Sequence, residues 1–376
     1  MVKHVKHKRP SDRRLALVLQ GGGALGAYQA GVYQALREAD HGPDWIAGTS
    51  IGAINAAIIA GNEPAHQVDR LRDFWQAISS LDIAGADQMP PEFRRGHSLW
   101  HAAMAVLGGQ TGFFSPRPGM PAGAFIEGEP ETAGLYDVSR LRKTLQGLVD
   151  FELLNRSGIR VSLGAVHVTS GQMVYFDTTD GPIGAEHVLA SGALPPGFPP
   201  VRIKGELYWD GGIYSNTPIT VVLDDEPRED TLCFMVDLWS PAGEEPRSII
   251  EAETRHKDIL YASRSGRHIE EFRQKHNLRR ALRDVFDAVP AETCAERHLE
   301  GLGMLGCSKT MNIVSLVYPG QPWEMPTKDI DFSASAIRTH WDAGYGDAMS
   351  VIERADWLKP VAPHVGVTVH TVRQSG

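Results

Sequence analysis

A chain of 376 residues has room for one large domain, or for one domain with a substantial extension. With 42% hydrophobic and 22% charged residues it can bury a sizeable core, which sets aside a disordered or fibrous protein. A formal net charge of -9 and a pI near 5.9 argue against a nucleic-acid partner, which needs a basic face to neutralise phosphates.

Residues 1–14 concentrate Lys3, Lys6, Lys8, Arg9, Arg13 and Arg14, and no apolar run follows, so this is not a secretory signal. It reads as a basic, solvated tail, with a membrane-surface contact as the alternative. The first structured element is the apolar run Leu15–Gln20, a buried strand ended by Gly21-Gly22-Gly23. From Gly26 a helical period takes over through Glu38. A second strand over Trp45–Ala47 runs into Gly48-Thr49-Ser50-Ile51-Gly52, and an Ala/Ile-rich helix continues to Ala60, with Gly61-Asn62 as its stop. Two strand–helix units in some fifty residues predict a parallel, helix-flanked sheet.

Another helix is predicted over 63–79. Residues 82–133 are rich in Gly, Pro and Met, with a modest helix around Ser98–Leu107, and read as a lid or a covering insertion. A helix over Val138–Gly147 precedes a hairpin of Arg160–Thr169 and Gln172–Thr178. A helix near Ala185–Ser191, a proline-rich passage and Leu207–Gly212 follow, then a core strand over Thr231–Trp239. Composition shifts at Pro241–Pro246, which divides the chain into a tail (1–14), a catalytic domain (15–240) and a mainly helical extension (241–376). The extension is predicted to hold helices over 248–275 and 277–289, a strand over Asn312–Val317 and a helix from Ser333 to Arg354. No run approaches the roughly 18 apolar residues a spanning helix requires. Three unpatterned cysteines, Cys233, Cys294 and Cys307, favour a reducing compartment over a disulfide scaffold or a zinc site. A cytoplasmic location follows, with peripheral membrane contact left open. No metal and no cofactor is expected.

Three short motifs carry the chemistry. In Gly48-Thr49-Ser50-Ile51-Gly52 a sharp strand-to-helix turn would expose a serine hydroxyl, and the flanking glycines Gly48 and Gly52 would relieve the crowding. The competing reading is an ordinary helix start with Ser50 as its N-cap. Gly21-Gly22-Gly23-Ala24-Leu25-Gly26 fits either a dinucleotide-binding turn or a nest of N–H groups for an oxyanion. A dinucleotide site needs an acidic residue at the end of the next strand. Asp40 and Asp44 precede that strand instead, so the oxyanion reading is preferred. Asp210-Gly211-Gly212 alone would be an unremarkable surface turn.

Together, in this order, the motifs resemble those of the patatin-like phospholipase family, and Ala190–Pro195 running into Phe198–Val201 resembles the block that precedes the family's Asp. The resemblance covers residues 15–240. It implies an α/β fold, a three-layer α/β/α sandwich, and a Ser–Asp dyad without histidine. By position, Ser50 would be the nucleophile, Asp210 its base in the Asp210-Gly211-Gly212 motif, and the amides of Gly21, Gly22, Gly23, Ala24 and Gly26 the oxyanion turn. One departure is Leu25, where the family often carries Arg or Lys. Residues 332–345 resemble a C-terminal extension of some bacterial members. The implied activity is hydrolysis of a lipid or other acyl ester through an acyl-enzyme. A lipid- or granule-surface binding protein with a vestigial site is the alternative. A Ser–His–Asp hydrolase would have to draw on His256, His268 or His340.

Overall fold

A computed structural model describes residues 13–83, 85–119, 127–262, 264–290, 293, 300–362 and 364–371. The basic tail expected over 1–14 therefore lies almost wholly outside the described residues.

The chain opens with β1 (Arg14–Leu19), the glycine turn and α1 (Ala27–Glu38), then β2 (Trp45–Thr49), α2 (Ile51–Ala60) and α3 (Gln67–Ala77). After α4 (Pro91–Gly108) and α5 (Ser139–Leu148) come the hairpin β3 (Arg160–His167) and β4 (Met173–Asp177), α6 (Ala185–Ser191), β5 (Val201–Ile203) and β6 (Glu206–Asp210). Then follow β7 (Thr231–Asp237), α7 (Ile249–Tyr261), α8 (Ser265–Ala288), β8 (Met311–Val317), α9 (Ala334–Arg354) and β9 (Val367–Thr371).

Nine strands form one sheet in the order β9-β8-β7-β1-β2-β3-β6-β5, with β4 also paired to β3. From β9 to β3 the neighbours are parallel, and the β3–β4, β3–β6 and β6–β5 pairs are antiparallel. Strand β1 explains why the sheet is covered on both faces, because its side chains alternate between two apolar layers. Leu15, Leu17 and Leu19 face the cluster built with α1, α2, α3 and α9, whereas Ala16 and Val18 face Val222, Ile269 and Phe272 on the other side. Three layers result, helices either side of a sheet.

The composition shift at Pro241–Pro246 falls between β7 and α7, and the chain beyond it returns to the same sheet. β8 pairs with β7 from Met311↔Thr231 to Val317↔Asp237, and β9 adds outside it. Helix α9 docks on α1 at two glycines. A Cβ at Gly31 would collide with the Trp341 carbonyl, and one at Gly344 with the Tyr28 carbonyl, so neither position can carry a side chain without moving a helix. Tyr28 donates to Asp347 (2.7 Å) and Trp341 to Gln34 (2.8 Å) across the same contact.

Some expected elements shift. The helix expected over Ser98–Leu107 begins at Pro91, where a proline suits the first helical position. The break expected near 276 falls between Tyr261 and Ser265, in a stretch rich in Ser and Gly. His276 stays helical, stacked on Phe272 and bonded to the Lys309 carbonyl (2.8 Å). The edge strands β5 and β9 were not expected, and each gains its definition from a partner strand rather than from its own short sequence.

Candidate active site

The two glycine-flanked motifs meet because β1 and β2 are parallel neighbours, with Leu19 opposite Gly48. Both strands therefore end side by side, and the turns that follow them share one edge of the sheet. Asp210 reaches that edge by a third route. β2 occupies one side of β3 up to the pair Thr49↔Gly164, and β6 takes over the vacated side at the next residue, Ala165↔Asp210. Since β4 fills the opposite side of β3, the end of β6 abuts the end of β2.

Ser50 sits at φ 57, ψ -123, a left-handed backbone that non-glycine residues rarely adopt. The turn is possible only with glycine two residues either side, because a Cβ at Gly48 would strike the Gly52 carbonyl and one at Gly52 the Leu19 carbonyl. Although Ser50 stands at the N-cap position of α2, its side chain makes no capping hydrogen bond. Its N–H is held by Ser191, through the carbonyl and Oγ (3.1 Å each), and Ser191 Oγ donates in turn to the Gly164 carbonyl (2.6 Å).

Asp210 is 2% exposed, not a surface turn, and its Oδ1 accepts the Gly212 N–H at 2.7 Å. The Ser50 hydroxyl lies near enough to the same carboxylate to act on its charge, and both residues line one cavity. Burial pushes the Asp210 carboxyl up to about 7, against the lowering pull of the Ser50 hydroxyl and the Gly212 N–H. A carboxylate near neutral pKa is a far better proton acceptor than a solvated one.

The glycine turn is fixed from behind. Trp239 Nε1 (2.9 Å) and Asn216 Nδ2 (3.0 Å) both donate to the Gly21 carbonyl, while the Gly21 N–H goes to the Asn216 carbonyl (3.1 Å). Gln20 holds the backbone N–H groups of Leu238 and Trp239 through Oε1 and donates to Thr217 (2.9 Å). With its N–H engaged, Gly21 serves as an anchor rather than an oxyanion donor, which corrects one member of the expected set. Gly21, Gly22 and Gly23 line the cavity beside Ser50, while Ala24, Gly26, Gly48, Gly52 and Gly211 stand behind it. Gly26 packs against Ile51, and Leu25, where a cation was a family option, is fully buried. Asp44, weighed as a ribose ligand, accepts the Leu15 N–H (2.7 Å) at the far end of the strands.

Above the serine opens a cavity of about 390 Å³. Phe113, Phe114, Tyr136, Phe198 and Phe332 form a connected aromatic wall with ring centroids 4.8–6.4 Å apart. Lys257, Tyr261, Asp329 and Ile330 bring the region beyond 241 into the lining. Among the described residues no histidine lines it, and His340 pairs with Glu324 (3.1 Å) under Trp323. Gln20, Ser191, Asn216 and Trp239 escaped the sequence reading. Only Gln20, directly before the glycines, and Ser191, within the recognised 190–195 block, stood near a motif.

Fold and site together define a three-layer α/β protein with a strained serine beside a buried aspartate. The family model for patatin-like phospholipases matches residues 17–223, and a second model, described as patatin phospholipase, matches 259–364. The chain belongs to the patatin-like phospholipase family. An uncharacterized NTE family protein of Mycobacterium tuberculosis is 30% identical over 223 residues, 59% of this chain and 30% of that one. A lysophospholipase of Aspergillus terreus is 51% identical over 57 residues, 15% of this chain and 4% of its own length. The chain thus spans less than a third of these relatives. VipD from Legionella pneumophila, at 16% identity, covers 92% of this chain and 67% of its own with a TM-score of 0.40, a loose likeness only.

Proposed function

We propose that the protein hydrolyses lipid acyl esters with a Ser50–Asp210 dyad. The observation that carries this is Ser50, on its strained elbow, sharing the lining of an apolar cavity with the buried Asp210 carboxylate, on whose charge its hydroxyl acts. Ser50 Oγ forms a bond to the ester carbonyl carbon while its proton passes to Asp210. The developing oxyanion rests on the turn at Gly22–Ala24. As the carbonyl reforms, the alcohol leaves with the proton from Asp210. Water then attacks the acyl-enzyme, Asp210 takes its proton, the fatty acid departs, and Ser50 Oγ recovers the proton.

The aromatic wall suits an acyl chain and offers no fixed charge to it. Helix α4 supplies Ala105 and Val106 to this wall and turns Trp100, Met104 and Leu107 outward, 64%, 47% and 76% exposed. That apolar face beside the cavity fits peripheral contact with the lipid surface from which a substrate would be drawn. Among the described residues no helix is long and apolar enough to cross a membrane.

A p-nitrophenyl ester series tests the reading. Octanoyl to palmitoyl esters should be cleaved in preference to acetyl, and Ser50→Ala should lose roughly 10⁴-fold or more in kcat. Turnover retained in Ser50→Ala, or a preference for acetyl esters, would refute it.

A further inference from the structure

Helix α4 and the segment leading into α9 meet at polar side chains that the hydrolytic reading leaves unused. His97 and His101 are four residues apart on α4 and so share one face. Their Nε2 atoms are 3.2 Å apart, and His97 Nε2 is 2.8 Å from Asp82 Oδ1. One ligand atom from each of the three lies within 4.8 Å of the others.

The surrounding hydrogen bonds dictate which atoms are left open. The Phe332 carbonyl accepts the Ser80 N–H (2.8 Å) and the Ser80 hydroxyl (3.2 Å). Ser80 Oγ also meets His101 Nδ1 at 2.8 Å, and with its proton on the Phe332 carbonyl it accepts from that nitrogen. The neutral His101 ring then presents a bare lone pair on Nε2, toward His97. A far nitrogen held by a second group is the usual arrangement of a metal-ligating histidine. Asp82 is oriented likewise, with Oδ2 accepting the Ser335 N–H (2.6 Å) and Oδ1, which also accepts the Ile83 N–H (2.7 Å), turned to the histidines.

The segment leading into α9 also carries a buried negative charge. Asp331 is 1% exposed. Its Oδ1 accepts the Ser333 N–H (3.1 Å), while its buried Oδ2 has no hydrogen-bond partner among the described residues. A buried carboxylate oxygen left so is costly unless a cation meets it.

We infer that His97, His101 and Asp82 bind one divalent transition-metal ion. Two imidazoles with a carboxylate and no thiolate suit zinc, and cobalt(II) as its stand-in, rather than magnesium or calcium. The ion fastens α4 to Asp82, which the Ser335 N–H ties to the start of α9. Ala105 and Val106 of α4 line the same cavity as Phe332, so the ion steadies part of that lining and takes no part in the chemistry at Ser50.

The test uses the whole chain, stripped with a chelator and titrated with zinc chloride by calorimetry, with bound metal counted by mass spectrometry. One ion per chain and a rise in melting temperature are expected, both lost in His97→Ala/His101→Ala. Ser80→Ala should bind about 10-fold to 100-fold more weakly, as removal of an orienting partner does. Cobalt(II) on the wild type should give intense visible bands of a four-coordinate site, a readout that needs no variant to fold. Absence of binding, stoichiometric binding that survives the double substitution, or only the weak bands of six-coordinate cobalt would overturn the site.

Discussion

Asp210 is held in a conflict that should be visible in both activity and stability. Its carboxyl is pushed up to about 7 by burial, well above the ordinary value of 3.8. A carboxyl whose pKa is raised on folding binds more protons in the folded than in the unfolded state between those two values. Its contribution to stability is therefore greatest below about pH 4 and falls as pH rises through 7. The proposed catalysis needs the opposite state, because in it only the carboxylate accepts the serine proton. Hydrolysis by the wild type should accordingly climb as pH rises through about 7. Asp210→Asn should abolish that climb and raise the melting temperature at pH 8 relative to wild type, with little difference at pH 4. Asp237, also buried and pushed up to about 7, gives a pH slope of the same sign and persists in the variant. Thermal scans at the two pH values check this, and a variant no more stable at pH 8 would show that the buried charge costs little.

At the scale of elements, the docking of α9 on α1 is the contact on which the end of the chain depends. Gly344 lies against the Tyr28 carbonyl and Gly31 against the Trp341 carbonyl, so both helices approach backbone to backbone. Gly344→Leu should destabilise by about 1–3 kcal/mol or more, since overpacking a tight contact forces the helices apart. Denaturant titration measures it, and an unchanged midpoint would mean that α9 is loosely seated. Elements with a strong local signal were legible in the sequence. The glycine turn, the elbow and helix α6 announced themselves through glycines, apolar runs and caps. Strands β5 and β9 did not, because three to five residues say little until a partner strand pairs with them. The helix break after Tyr261 was misplaced because neighbours, not propensity, keep His276 helical.

For the whole molecule, sequence motifs named the proposed pair but not the frame that holds it. Ser50 and Asp210 lie 160 positions apart, and only the handover of one side of β3 from β2 to β6 brings them together. Burial of Asp210 and the clamping of Gly21 by Asn216 and Trp239 likewise depend on contacts distant in sequence. So does the cavity, to whose lining the region beyond 241 contributes Lys257, Asp329 and Phe332 while its strands extend the sheet. The His97/His101 spacing was readable on its own, but Asp82 joins it only in the fold.

The central claim, that Ser50 is activated by Asp210 alone, is met most directly by intact-mass analysis after treatment with a fluorophosphonate. The wild type should gain one adduct, located by peptide mapping on Ser50. Ser50→Ala should gain none, and folded Asp210→Asn should react about 10²- to 10⁴-fold more slowly, the range typical of a lost general base. An adduct on another residue, or equal labelling rates in wild type and Asp210→Asn, would contradict the dyad.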